Sequence, residues 1–237
     1  MISKITNSIL HGKYKINDFP FDKMILDHFK KFNVRDLKKI HVDLPNELKP
    51  RKVVSVKNDQ DQSIYKYLYK IDKGFNLKKK EGNGKFLDLY YKFVNKIAKE
   101  FFSEDLVFQS KPTFRVHFPD NLAVGGFHRD REYNHPLEEI NIWVPLTETS
   151  DTSSIWIESS FDKKDYKPMN LKYGDFIIFD SGLQHGNKIN LTNKTRISFD
   201  FRVIPSSKYK KNDVVKKSTG QFIKFKIGDY YSVTSNI

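Results

Sequence analysis

The 237-residue chain contains no cysteine. Disulfides, thiolate metal sites, iron–sulfur clusters and cysteine nucleophiles are thereby excluded, and any metal must be held by His, Asp or Glu. Long apolar runs are missing too. No stretch approaches the roughly 18 uncharged apolar residues of a membrane-spanning helix. The opening residues, Met1 to Thr6, lack the apolar segment of a secretory signal. Together these absences predict a cytoplasmic protein with no membrane partner. Arginine is scarce: seven of the 42 cationic residues, five of them between Arg115 and Arg202. Small apolar residues are also few, yet 20 Phe, 12 Tyr and 2 Trp supply bulky core material and argue against disorder. The length suits one domain, or one domain with an extension.

The net charge of +13 admits two readings. A polyanionic partner such as nucleic acid is one; a solvated lysine surface is the other. Lys, Asn, Ile, Phe and Tyr share AT-rich codons, so genome composition favours the second.

Hydrophobic spacing predicts a helix over Phe21–Phe32 and a short one near Ile64–Tyr69. A longer helix over Phe86–Phe102 carries Phe86, Leu89, Tyr90, Phe93, Val94, Ile97 and Phe101 on one stripe. Asp72 to Gly84 reads as an exposed loop. From Leu106 the period becomes two. Strands are predicted around Phe114–Phe118, Ile140–Val144, Ile155–Ile157, Asp175–Phe179 and Arg196–Val203, with a further strand or hairpin over Phe222–Tyr231. Helices followed by short strands predict a mainly β protein with flanking helices. Residues 1–105 form a helical N-terminal buttress, 106–205 the core and 206–237 a C-terminal extension of a single domain.

Three features of the β-rich half carry chemistry. In an extended His128-Arg-Asp130, positions i and i+2 point the same way and can share one ion. His185 follows 57 residues later, and Arg196-Ile-Ser198 begins eleven residues after that. Two imidazoles and a carboxylate compose the facial triad of non-haem Fe(II) oxygenases, which leaves three coordination positions open. A buried Arg fork pairs a carboxylate better than Lys does, and a hydroxyl two residues on adds a hydrogen bond. Each element has a structural alternative. His128 and Asp130 also fit a turn pair, His185 a buried donor to a backbone carbonyl, and Arg196 an ion pair with Asp200.

In this order and spacing, the pattern resembles the Fe(II)/2-oxoglutarate-dependent dioxygenase superfamily over roughly residues 107–205. Gly126–Asp130, Glu139–Thr147 and Arg196–Pro205 look most like the phytanoyl-hydroxylase-like branch and the StrG-like oxygenases of carbohydrate and antibiotic gene clusters. The resemblance implies a double-stranded β-helix (a cupin-like jelly-roll) with the metal in its open mouth. It implies Fe(II) on His128, Asp130 and His185, and 2-oxoglutarate on Arg196 and Ser198. It further implies O2 as co-substrate, and hydroxylation of a small polar metabolite such as a sugar, with release of succinate and CO2. Asp130 occupies the place that halogenating relatives leave to chloride, which disfavours halogenation. Asn141 and Arg115 are further candidates for the co-substrate, and Arg131, His117, Trp143 and Arg202 for the substrate. Arg129 and Glu158 are rim candidates. Two alternatives stand beside this reading. One is a nucleic-acid alkyl-lesion demethylase of the same superfamily, suggested by the Arg196–Arg202 spacing. The other is a cupin-type sugar isomerase or epimerase that needs no 2-oxoglutarate.

Overall fold

A computed structural model describes residues 8–49, 63–72, 85–123, 126–211, 215–218 and 221–236. Three helices lie where spacing predicts them: α1 (Phe21–Phe29), α3 (Ser63–Leu68) and α4 (Lys85–Ile97), with a single-turn α2 at Ile40–Asp43. The predicted helix ends are real but are not α-helical. After α1 the chain tightens into a 3-10 turn at Lys30–Phe32, and after α4 it widens into a π turn at Ala98–Phe102. Ser103, at φ 58°, ends that turn in the left-handed region. Asp72, read as exposed loop, is in fact buried. Its carboxylate accepts from Phe86 N at 3.2 Å and Leu87 N at 2.9 Å, satisfying donors that the first turn of α4 leaves open. The rest of that predicted loop, 73–84, lies outside the described residues.

Among the described residues, ten strands build two sheets. The larger sheet runs in the order β1-β7-β4-β9-β2-β12, with every pairing antiparallel. Its members are β1 (Leu10–Lys13), β2 (Leu106–Gln109), β4 (Ile140–Pro145), β7 (Asp175–Asp180), β9 (Arg196–Pro205) and β12 (Tyr231–Val233). A further strand, β3 (Thr113–His117), pairs with the first half of β9 on the edge that β2 takes in the second half. The smaller sheet has the order β6-β5-β8, from β5 (Trp156–Ile157), β6 (Lys167–Pro168) and β8 (His185–Gly186). An antiparallel bridge between His128 and His185 extends it by one more segment. Apart from both, β10 (Val215–Ser218) and β11 (Gln221–Lys224) form a hairpin.

Alternation on the larger sheet separates two chemistries. Phe114, Val116, Ile142, Val144, Phe176, Ile178, Ile197, Phe199, Phe201 and Val203 face the helices and join one apolar core. Phe93 of α4 packs edge-on against Phe176 at 5.6 Å. The opposite face carries Arg115 and His117 of β3, Asn141 and Trp143 of β4, and Arg196, Ser198, Asp200 and Arg202 of β9. In register, His117 stands opposite Arg196, Arg115 opposite Ser198, and Asn141 opposite Arg202. A second apolar cluster, Trp143, Ile155, Ile157, Met169, Leu171, Ile177, Phe179 and Leu183, lines the same interior.

Both flanks invade the sheet, so 106 and 205 are not its limits: β1 and β12 come from the segments assigned to buttress and extension. Leu10-His-Gly-Lys13 is too short to alternate visibly. Gly12 is required there, because a Cβ on it would lie 2.2 Å from Phe176 Cζ.

Candidate metal centre and anion site

His128, Asp130 and His185 converge, each offering a ligand atom within 4.8 Å of the others. The bridge sets the two imidazoles side by side: His128 N donates to His185 O and His185 N to His128 O, both at 2.9 Å. Gly186 permits this approach, since a Cβ there would stand 2.8 Å from the Phe127 backbone. Beyond His128 the strand stops. Asp130 opens a 3-10 turn (Asp130–Tyr133), and its N–H donates to Ser181 O at 3.2 Å. The i, i+2 expectation therefore places the two side chains together although only the first half of the motif is extended.

Each imidazole is braced by its own chain. His128 Nδ1–H donates to Gly126 O and His185 Nδ1–H to Leu183 O, both at 2.9 Å. That fixes the tautomer and leaves Nε2 bare. The two Nε2 atoms lie 3.5 and 3.7 Å from Asp130 Oδ1. His185 thus donates to a carbonyl and presents a ligand nitrogen at once. Burial, then the neighbouring His128, pushes the His185 pKa down to about 4, so the ring is neutral. Burial would raise the Asp130 carboxyl. The charge of Arg202 outweighs it and holds the group well below the usual carboxylate range.

The arginines divide sharply. Arg202, expected at substrate, places Nε and Nη2 each 3.0 Å from Asp130 Oδ2 and Nη1 2.8 Å from Asp200 Oδ2. Arg115, expected at co-substrate, donates from Nε to Asp200 Oδ1 at 2.7 Å. Asp200 is therefore held by Arg115 and Arg202, which corrects the alternative that pairs it with Arg196. Asn141 Nδ2 donates to Asp130 Oδ2 at 2.9 Å. Arg131 binds Asp180 at 2.8 Å, and Arg129 binds the buried Glu158 and the exposed Asp162, each at 3.2 Å.

Arg196 is different. It is 1% exposed and has no carboxylate within ion-pair distance among the described residues. Nη1 donates to Asn187 Oδ1 at 2.8 Å and Ser153 O at 3.2 Å, while Nε has no partner among the described residues. Ser198 Oγ, also buried, has none either. The Trp143 ring lies 5.6 Å from the guanidinium carbon. Burial lowers the Arg196 pKa to about 10, which leaves it charged at neutral pH. His117 donates from Nε2 to Asn121 O at 2.8 Å, and its Nδ1 is unpartnered.

Asn187 was not singled out from the sequence. Asn187 lies two residues beyond His185, the same i, i+2 step that joins His128 to Asp130, so spacing alone could have found it. Nothing in the sequence singles out the buried Glu139, whose carboxylate takes His135 Nδ1 at 2.7 Å and the Tyr231 hydroxyl.

No protein-family model matches the chain. The streptomycin biosynthesis protein StrG of Streptomyces griseus is 41% identical over 124 residues, covering 52% of this chain and 58% of StrG. The match thus spans little more than half the length of that relative. Among solved structures, the non-heme α-ketoglutarate-dependent carbocyclase SnoK from nogalamycin biosynthesis aligns with TM-score 0.46 and 10% identity over 95% of this chain and 91% of its own. The non-heme monooxygenase ThoJ, in its nickel complex, aligns with TM-score 0.43 and 15% identity over 51% and 53%. Both scores are too low to establish a shared fold.

Proposed function

We propose that the chain is an Fe(II)- and 2-oxoglutarate-dependent oxygenase acting on a small polar metabolite through a jelly-roll core. The two-sheet pairing order, with the site between the sheets, supports that fold. The observation that carries the function is Arg196: a buried guanidinium without a carboxylate, next to a buried hydroxyl without a partner. A buried charge left unpaired costs several kcal/mol, about 3–5 by the measure of broken buried pairs. An anion seated there relieves that cost. The interior also offers two imidazole nitrogens and one carboxylate oxygen, a donor set suited to Fe(II). A dicarboxylate that is also a chelating keto acid matches both halves.

Fe(II) and 2-oxoglutarate, when bound, supply oxidation of substrate by O2 with release of succinate and CO2. The chain's own part is geometric. His128 and His185 present Nε2 and Asp130 presents Oδ1. Arg196 and Ser198 take the far carboxylate. Trp143, Ile157, Phe179 and Leu183 keep water from the interior. His128, at 23% side-chain exposure, is the outermost of the three ligands, so substrate approaches on its side, past Tyr133. The link of StrG to streptomycin biosynthesis supports a sugar or sugar-derived substrate.

Anaerobic titration with Fe(II) and then 2-oxoglutarate tests this reading. The expected result is iron binding followed by a visible charge-transfer band that saturates with the keto acid. His185→Ala should abolish both steps while the far-UV circular dichroism stays unchanged. Iron binding without a band would return Arg196 to a structural role and favour the cupin-type isomerase. Absence of both would remove the metal assignment.

A further inference from the structure

Asp130 Oδ2 accepts two hydrogen bonds, from Arg202 Nε at 3.0 Å and Asn141 Nδ2 at 2.9 Å, and Arg202 Nη2 stands 3.0 Å from the same oxygen as an ion-pair contact. A carboxylate oxygen has two lone pairs, so this one is saturated. Oδ1 is the oxygen left facing the two imidazoles. Behind Arg202 stands Asp200, which Nη1 meets at 2.8 Å, and behind Asp200 stands Arg115 at 2.7 Å. These groups lie on neighbouring strands in fixed register, Asn141 opposite Arg202 and Arg115 opposite Ser198. The carboxylate belongs to a turn, but its orientation is set by the sheet.

We infer that Arg202, with Asn141, is a positioning residue that confines Asp130 to one-oxygen ligation, and that Asp200 and Arg115 brace it. The inference rests on the metal reading above and goes beyond it. A carboxylate free to swing could bind through both oxygens and fill one of the three positions a facial triad must leave open. One N–H of the Arg fork and one amide N–H on the same oxygen, with the rest of the guanidinium charge beside it, block that swing. Lys could supply the charge but not the fork. In this role Arg202 touches neither substrate nor co-substrate.

The test uses the full chain and Co(II) alone, followed by the visible d–d spectrum, which responds to coordination number. Arg202→Lys and Arg202→Gln should each weaken Co(II) binding by about 10- to 100-fold, as loss of an outer-shell partner does. Both should also change the band intensity, with no 2-oxoglutarate present. A residue that only packs would shift the melting temperature and leave the spectrum alone. One that binds co-substrate would alter 2-oxoglutarate affinity and leave Co(II) affinity alone. Either pattern overturns the inference. Should the Arg202 variants not fold, Asn141→Leu is read by the same titration, and an unchanged Co(II) affinity and spectrum there overturns it equally. His185→Ala separates the two levels. If that variant still binds Co(II) normally, the metal reading itself has failed. If it loses Co(II) while the Arg202 variants do not, only the positioning role has.

Discussion

At the scale of single residues, the site is built from side chains that each have one atom committed and one left over. His128 and His185 spend Nδ1 on a carbonyl two residues back and keep Nε2. Arg196 spends Nη1 on Asn187 and keeps Nε. Replacing Arg196 with Gln should lower 2-oxoglutarate affinity by about 10- to 100-fold, since hydrogen bonds to a charged group contribute about 1.5–3 kcal/mol. Iron affinity should not change. Calorimetric titration of the iron-loaded protein reads this directly, and unchanged keto-acid affinity would assign Arg196 to structure. The convergence of His128, Asp130 and His185 was legible because a carboxylate two residues from an imidazole is a local relation. The pairings of Arg115 with Asp200 and of Arg202 with Asp130 were not. Asp200 lies diagonally across from Arg115, and cross-strand register is invisible in the spacing of one strand.

At the scale of elements, the strands with long patterns were legible, as was two-residue β5, whereas β1, β6 and β8 were not. The stripe on α4 and the alternation of β3, β4 and β9 announce themselves over five residues or more, and β7 shows as an apolar run after a turn signal. By contrast, β1 has four residues and β12 three, and tertiary pairing alone makes them strands. The turn at Asp130 was foreseen only as an alternative, because Arg129 is extended and the chain departs from the pattern from Asp130 onward. Two-residue β8 is held by its neighbours, and the permissive position is Gly186. Gly186→Ala would force its Cβ to 2.8 Å from Phe127 backbone atoms that cannot rotate away. We expect a loss of about 1–3 kcal/mol in stability, typical of overpacking, together with weaker metal binding as the His128–His185 bridge opens. Urea unfolding and Fe(II) titration of the same variant measure the two effects. A variant with wild-type values in both would mean the bridge is not tight.

At the scale of the whole molecule, buried imidazoles tie folding to pH. Burial, then the charge of Arg196, pushes the His117 pKa down to about 3 from its ordinary 6.5. Burial also lowers His28 and His41. The unfolded chain therefore takes up protons that the folded chain refuses. Stability is at its full value above pH 6.5 and falls as pH drops toward 3. His117 alone should account for about 2 kcal/mol by about pH 5. Melting temperature recorded between about pH 7 and pH 4 should decline. In His117→Gln the decline should be shallower, and a slope identical to the wild type would show that His117 titrates normally. Among the described residues no helix is long and apolar enough to cross a membrane.

The two outermost strands of the larger sheet come from opposite flanks of the chain, β1 from before the helices and β12 from after the last hairpin. Each covers a neighbour whose backbone groups would otherwise lack partners. Without β1, the strand Phe176-Ile-Ile-Phe179 would become a bare border: apolar, free of proline and uncharged along its middle. Such a border is a template for pairing with another molecule of the same kind. Trimming the chain to its central hundred residues would thus leave a fold inclined to self-associate. The flanks act as guards against aggregation as much as supports for the site.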